Sequence, residues 1–490
     1  MVKIKIKRFD GKKDYYESYE VPEGLTVLEA LEYINNNYGA NILFRASCRN
    51  GQCGSCAMTI NGEPRLACET KVENNMVIEP LKGFKVIIDL IVDRESYYKK
   101  LLNIKNYLVR KEYPENLEII PQKYVEKNKD LRGCIDCLSC LSICPSREVS
   151  EYPGPTFMRQ LARFAFDRRD EDNREITAYF ENIYNCTTCA KCVEVCPKEI
   201  DIVHNAIEKL RALSFSKGYL IKNHLKVREN VLKYNRSVVE EDTPLLKQVN
   251  NIYEAENEKL RVAFFTGCLV DFRLQDVGKN AIKVLNAHGV SVYIPKEQVC
   301  CGSPFFRTGQ RDIAEKLKKK NLEIFNKLDV DYIVTICAGC GSTLKNDYKN
   351  EREFEVKDIT EVLTDVGLLK YKPLKIRVTY HDPCHLKRGQ GIDEQPRKII
   401  KSIPEIEFID IEARCCGAGG GVRSGKPDIA YLIGKRRAKM IYDTNADAVI
   451  TVCPFCEYHL KDSLKKYKEE NNLKKDIEVM NIVSLLSKVI

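Results

Sequence analysis

Tryptophan is missing from all 490 residues, and methionine occurs only six times. Against a background rich in Lys, Glu and Ile, that scarcity resembles the compositional bias of thermophiles. Long hydrophobic runs are missing too. A membrane helix needs roughly 18 or more apolar residues, and the most apolar stretch, Val86 to Val92, is interrupted by Asp89. No membrane partner is expected. The opening MVKIKIKRFD alternates apolar and basic residues as a strand does, and it has neither the apolar core nor the small-residue cleavage site of a secretory leader. The expected location is the cytoplasm. Phosphate-binding P-loops and flavin or nicotinamide fingerprints are absent, so the chain lacks the hydride acceptor that a dehydrogenase needs. The 79 basic and 70 acidic residues are interspersed, and the net charge of +9 gathers on no single element. Nucleic-acid binding would concentrate that charge in a stripe.

What is abundant is cysteine, with 22 residues. In a long chain expected to be cytoplasmic, that number argues for metal rather than disulfides. All 22 fall into groups of four, four, four, five and five, with none left over. Scattered core thiols would leave strays. The length suits about three domains.

The first group lies in CRNGQCGSCAMTINGEPRLAC, as Cys48, Cys53, Cys56 and Cys68. Strand patterns at 2–8 and 15–21 precede it, followed by a helical stretch at 26–38 whose apolar face is Val27, Leu28, Leu31 and Ile34. A C-x4-C-x2-C start is that of ferredoxin-like [2Fe–2S] loops. Gly51 and Gly54 let the backbone approach such a cluster and aim N–H groups at it. A zinc knuckle does not account for the asymmetric spacing and the embedded glycines.

Two further groups share the pattern C-x2-C-x2-C-x3-C-P. They are Cys134, Cys137, Cys140 and Cys144 before Pro145, and Cys186, Cys189, Cys192 and Cys196 before Pro197. In such pairs the fourth cysteine ligates the other cluster. One [4Fe–4S] is therefore assigned Cys134, Cys137, Cys140 and Cys196. The other is assigned Cys144, Cys186, Cys189 and Cys192. The polar, cysteine-free stretch at about 211–259 reads as a helical linker, interrupted at Thr243–Pro244.

The last two groups form an internal repeat. Cys268, Cys300, Cys301, Cys337 and Cys340 answer to Cys384, Cys415, Cys416, Cys453 and Cys456 at offsets of 116, 115, 115, 116 and 116 residues. Duplication holds such a register; chance does not. Apolar runs at 262–265, 333–336, 378–380 and 449–452 lead into the cysteines, and helical patterns follow at 276–287, 312–328, 429–442 and 457–467. Alternating strand and helix implies a mainly parallel sheet with the cysteines at its carboxyl ends. Five thiolates exceed what one cubane requires, so an unusual cluster with bridging thiolates or a replaceable ligand is expected. Zinc, with four tetrahedral ligands, leaves one cysteine unexplained. His381, Asp382, His385, Lys387 and Arg388 lie near the second site, and Arg307, Arg414 and Arg423 flank the Cys-Cys-Gly loops. Each alone reads as surface or neighbouring charge. Together they could hold an anionic thiol, with His381 and His385 handling its proton. The run Gly417 to Gly421 reads as a turn hugging a cluster.

Over about residues 1–210 the chain resembles the iron–sulfur subunits of succinate dehydrogenases and fumarate reductases. The likeness is carried by RASCRNGQCGSCAM with INGEPRLAC, by KVIIDLIVDRESYYKKL, and by EYPGPTFMRQLARFAFDRRDE. Those subunits often lack a cysteine where Cys189 stands and bind a three-iron centre beside a quinone. The complete set here implies a full [4Fe–4S] and puts that quinone site in doubt. Residues 260–490 resemble the CCG domain of heterodisulfide reductases, whose best-described members bind one non-cubane [4Fe–4S] per repeat. With both repeats intact, two such clusters are implied.

The fusion is similar to the iron–sulfur subunits of thiol-driven fumarate reductases of methanogens. That resemblance implies an oxidoreductase component that oxidises coenzyme M and coenzyme B thiols to the heterodisulfide at the CCG clusters. The ten repeat cysteines would be catalytic as cluster ligands, not as nucleophiles. Electrons would pass through the [4Fe–4S] and [2Fe–2S] clusters to the FAD-bearing flavoprotein partner of the fumarate reductase, which reduces fumarate to succinate. Three alternatives stand beside it. One is the iron–sulfur component of a quinone-linked succinate or 2-hydroxyacid dehydrogenase; another is an electron carrier without its own substrate; the third is a zinc scaffold.

The expected fold is α+β and multidomain. It comprises a β-grasp [2Fe–2S] ferredoxin at 1–95, an α-helical module with two [4Fe–4S] clusters at 96–215, a helical linker at 216–259, and a duplicated α/β CCG domain at 260–373 and 374–490.

Overall fold

The computed structural model describes residues 1–490 as two compact units. The first comprises Met1–Cys186 and Ala190–Tyr219, and the second comprises Thr187–Cys189 and Leu220–Ile490. No helix is long and apolar enough to cross a membrane.

The first unit opens with a five-stranded sheet in the order Asp14–Val21, Val2–Phe9, Met76–Glu79, Ala57–Ile60, Glu63–Leu66. Period-two alternation decides its inner face: Val2, Ile4 and Ile6 are buried while Lys3 and Lys5 are exposed. The helix Val27–Tyr38 starts at a capping box between Thr26 and Glu29 and stops at Gly39 in left-handed conformation. It buries Leu28, Leu31 and Ile34. Asp89, which interrupts the apolar stretch, is itself buried. It accepts from Arg8 Nε at 2.8 Å and from the Leu43 N–H at 2.9 Å. A two-stranded antiparallel sheet, Val86–Ile88 with Ile91–Val92, follows, and the rest of this unit is mainly short helices, the longest being the 11-residue Pro155–Ala165.

The second unit contains the two repeats, which share one topology. The first sheet runs Val356–Asp358, Tyr332–Thr335, Leu260–Phe265, Val290–Tyr293; the second runs Glu478–Asn481, Ala448–Thr451, Ile376–Tyr380, Ile406–Ile409. All these neighbours are parallel. A short antiparallel strand, Ile252–Tyr253, is added to the edge of the first. One apolar core runs through both repeats, from Val262 and Leu285 to Ile399 and Leu486.

From Leu220 onward, the segment read as a linker is folded into this unit. Its helix Lys222–Tyr234 buries Val231, and Leu245 and Leu246 enter the cores. Val227, Val238 and Val249 pack against the same cores, so a stretch that is polar overall is still held down by apolar anchors.

Candidate metal centres

In the ferredoxin loop, backbone N–H groups point at the thiols. Gln52 N and Cys53 N each lie 3.2 Å from Cys48 Sγ, and Gly51 N lies 3.3 Å from Cys68 Sγ. Cys56 Sγ and Cys68 Sγ are 3.4 Å apart. Hydrogen bonds from Ser55 and from the Cys48 N–H lower Cys53 to about 6. Such donors stabilise thiolate, the form that binds iron. Arg94, buried, reaches the carbonyls of Gly54 and Ser55 at 3.4 and 3.3 Å and ties the loop to the chain that leaves it.

The paired motifs repeat each other's backbone. Asp136 and Leu138 have φ of 47° and 66°, and Thr188 and Ala190 have φ of 51° and 56° at the matching places. Left-handed conformations of non-glycine residues cost about 1–2 kcal/mol each; their recurrence marks a loop shape that something else holds. Cys134, Cys137, Cys140 and Cys196 are brought around one small cavity of about 20 Å³. Cys144, Cys186 and Cys192 act electrostatically on Tyr152, whose buried hydroxyl has no hydrogen-bond partner. Arg211, fully buried, donates to the carbonyls of Ile183 and Cys186 at 2.7 Å each. Cys189 belongs to the second unit, where its thiol hydrogen-bonds with Cys415.

In the repeats the cysteines follow the carboxyl ends of parallel strands. Leu260–Phe265 leads to Cys268, Tyr332–Thr335 to Cys337 and Cys340, Ile376–Tyr380 to Cys384, and Ala448–Thr451 to Cys453 and Cys456. Cys300 and Cys301, and likewise Cys415 and Cys416, lie in loops that end at left-handed glycines, Gly302 and Gly417. One cavity of about 470 Å³ gathers nine of these ten residues: Cys268, Cys300, Cys301, Cys337 and Cys340 from one repeat, and Cys384, Cys416, Cys453 and Cys456 from the other. Cys337 and Cys453 hydrogen-bond with each other, so the two sulfur sets adjoin. Cys415, the tenth, is not among the lining residues; its sulfur meets the Thr187 hydroxyl at 3.4 Å and also hydrogen-bonds with Cys384.

The surrounding charges divide. Arg307, Arg423 and His385 line the cavity. Arg307 is held by Asp347 at 2.5 Å, and Arg423 by Asp462 and His459. His385 Nε2 lies 3.1 Å from the Thr188 carbonyl oxygen, so that nitrogen carries the proton. The others turn away. Asp382 takes two 2.8 Å hydrogen bonds from Arg397, Lys387 meets Asp393 at 2.8 Å, Arg414 meets Glu412 at 3.0 Å, and Arg388 donates to the Ala413 carbonyl at 3.1 Å. His381 is not among the cavity's lining residues. Burial and the neighbouring Arg437 push it down to about 3. Two lining residues, Arg273 and Tyr458, were not singled out by the cysteine motifs. Arg273 and Arg423 stack on the Tyr458 ring at 5.0 and 4.4 Å. Arg273 caps the end of the helix that begins at Cys268, and Tyr458 lies on the helix that follows Cys453. That proximity to motif cysteines was the available signal.

The residues suit iron–sulfur clusters. Thiols that are mostly buried, in sets of four and five, share loops or a cavity, backbone N–H groups point at sulfur, and the Tyr152 hydroxyl lacks an acceptor that a cluster sulfur would provide.

Family models match in three regions: a 2Fe-2S iron-sulfur cluster binding domain at 3–99, a 4Fe-4S dicluster domain at 130–200, and a cysteine-rich domain twice, at 262–345 and 378–461. An uncharacterized iron-sulfur protein of Methanocaldococcus jannaschii is 84% identical over 100% of both chains. A fumarate reductase (CoM/CoB) subunit of Methanothermobacter marburgensis is 48% identical over 99% of both. A dihydromethanophenazine:CoB–CoM heterodisulfide reductase subunit of Methanosarcina barkeri is 30% identical over 74% of this chain and 94% of its own. With every domain matched and similarity to the Methanothermobacter protein along the full length, the chain is the iron–sulfur component of an oxidoreductase and belongs to the family of that fumarate reductase (CoM/CoB) subunit.

Proposed function

We propose that this chain is the iron–sulfur subunit of a cytoplasmic thiol-driven fumarate reductase, and that the cavity shared by the repeats is where coenzyme M and coenzyme B thiols are joined. The observation that carries the reading is the convergence of nine cysteines from both repeats on one cavity of about 470 Å³, a size within the range of small-molecule sites. Two sulfur centres facing one space suit two thiols that must end within bonding distance of each other.

In this reading Cys48, Cys53, Cys56 and Cys68 hold a [2Fe–2S] in a β-grasp domain. Cys134, Cys137, Cys140 and Cys196 hold one [4Fe–4S]; Cys144, Cys186, Cys189 and Cys192 hold another. The ten repeat cysteines hold two non-cubane [4Fe–4S]. When bound, the clusters supply one-electron acceptors, so that two electrons can leave the thiols without a free thiyl radical. The chain's own residues bind and orient. Arg273 meets Glu240 through Nε at 2.5 Å, leaving its Nη donors for an anionic group on a thiol substrate. Tyr458, with a cation on it from each arginine, stiffens that side of the cavity.

The chemistry balances. Two thiols lose two electrons and two protons and form one S–S bond. Fumarate takes two electrons and two protons and becomes succinate. The fumarate site and its FAD belong to a partner flavoprotein of the same fumarate reductase, because this chain has no flavin fingerprint.

The test is anaerobic. Iron-replete complex should consume the two thiols in equal amounts and form one succinate per heterodisulfide. Iron-replete chain that consumes neither thiol, even with a dye as acceptor, would sink the reading.

A further inference from the structure

The two repeats are not chemically equivalent at one buried place. Aligned on their first cysteine, LRVAFFTGC sets Phe265 where IRVTYHDPC sets His381. Phe265 is fully buried in an apolar cluster with Cys301 and Cys340, its ring 5.7 Å from that of Phe325. His381 is 1% exposed, and a ring nitrogen of it lies with Cys416 Sγ and Cys456 Sγ in a group whose atoms are all within 4.8 Å of one another. Cys416 and Cys456 are the counterparts of Cys301 and Cys340.

The proton on this ring can be placed. Arg437, buried, donates from Nε to His381 Nδ1 at 3.0 Å. A guanidinium in a protein only donates, so Nδ1 must accept and the proton of the neutral ring sits on Nε2. That Nε2–H is buried and has no partner. An orphaned donor costs about 1–3 kcal/mol, unless something at the site accepts. Arg437 itself belongs to the same asymmetry. At the corresponding place, 116 residues earlier, the first repeat has Asn321, which hydrogen-bonds Tyr348 and the Cys300 carbonyl. Histidine and its orienting arginine stand in one repeat, phenylalanine and asparagine in the other.

Resting on the reading that each repeat holds an iron–sulfur cluster, we propose that His381 Nε2–H donates a hydrogen bond to a sulfur of the second repeat's cluster. This makes that cluster the stronger electron acceptor of the two. A hydrogen bond to cluster or thiolate sulfur stabilises the more negative, reduced form and so raises the potential. Phe265 offers the first repeat's cluster no such donor. Arg437 is the positioning residue, because it fixes the tautomer.

The experiment is a redox titration of the anaerobic full-length protein followed by EPR, with iron content measured on the same samples. H381F gives the second repeat the first repeat's residue. It should lower one repeat midpoint, leave the other unchanged and keep its iron, and H381Q, which retains an N–H donor, should restore much of the shift. Wild-type protein labelled with ¹⁵N-histidine should show a weak nitrogen coupling in the signal of the second repeat. Unchanged midpoints in iron-replete H381F would overturn the proposal. A strong coupling, meaning an Fe–N bond, would overturn it as well. Should H381F lose iron, the wild-type coupling decides, and its absence is negative. Wild-type protein that lacks iron in the repeats would instead remove the cluster reading, and this proposal with it.

Discussion

Gly54 in the ferredoxin loop lies so close to Cys137 of the first four-iron motif that a β-carbon on Gly54 would fall 2.9 Å from the Cys137 α-carbon and 2.6 Å from the Ile135 carbonyl oxygen. Its φ is +65°. Only glycine permits this approach, and it brings the loop that would hold the [2Fe–2S] against one that would hold a [4Fe–4S]. G54A should push the loops apart at a cost of about 2–4 kcal/mol, from conformational strain and overpacking. Thiol oxidation with a dye acceptor should survive, since the repeats are untouched. Thiol-dependent fumarate reduction by the complex should drop about tenfold or more, equivalent to at least 1.4 kcal/mol. Equal losses in the two assays would refute the idea that this contact serves transfer.

Cys189 is a proposed ligand, at the place where the subunits that the N-terminal half resembles in sequence often lack a cysteine. If it completes a [4Fe–4S] with Cys144, Cys186 and Cys192, C189S should lose about one iron per chain and gain the oxidised-state EPR signal of a three-iron centre. Full iron with an unaltered spectrum would remove Cys189 from the ligand set.

Much of this molecule was legible because its signals are local. Cysteine spacing lies within a loop, strand alternation within Val2–Phe9, and the 116-residue register within a duplicated chain, and the two sheets share one strand order as that register implies. What was not legible depends on which way a side chain turns. Lys387 and Arg414 sit beside motif cysteines in sequence yet pair with Asp393 and Glu412. Arg273 and Tyr458, less conspicuous, line the cavity. The single cavity shared by nine cysteines arises from the packing of one repeat on the other, through contacts such as Asn346 Nδ2 to the Gly389 carbonyl at 2.7 Å. No periodicity within either repeat encodes that.

Asp358 should give the protein a pH-dependent stability. It caps the helix Ile359–Asp365, with Oδ1 accepting from Thr360 N at 2.9 Å and from Thr360 Oγ1 at 2.6 Å, while Oδ2 is buried without a partner. Burial raises it from 3.8 to about 7. The folded chain therefore holds this proton more tightly than the unfolded chain. Its stabilising contribution is full below about pH 4 and is lost as pH rises toward 7, by up to about 4 kcal/mol. Asparagine cannot ionise. Between pH 5.5 and 7.5 wild type should lose about 2 kcal/mol relative to D358N, seen as a thermal midpoint that falls with pH in wild type and falls less in the variant. Parallel midpoint curves would show that Asp358 is not protonated in the fold.

Gly417 follows Cys415 and Cys416 and donates its N–H toward Cys415 Sγ at 3.3 Å. Its φ is +100°, and an added β-carbon would meet the Ala430 carbonyl oxygen at 2.4 Å and Ile433 Cβ at 3.0 Å. Both are parts of the helix Pro427–Asp443, with its buried face against the core, so neither neighbour can yield cheaply. The strain of a left-handed alanine and the overlap together cost about 2–5 kcal/mol. Relief is available only by moving the loop that carries the two cysteines. G417A should therefore shed about four irons per chain from the second repeat, with the N-terminal clusters' EPR signals intact. Gly391 supplies the contrast. It too is left-handed, at +72°, but a β-carbon there meets nothing within 4 Å. G391A bears the conformational cost without the collision and should retain its iron. Equal iron loss in both variants would mean that general destabilisation, not the position of the Cys-Cys loop, governs cluster retention.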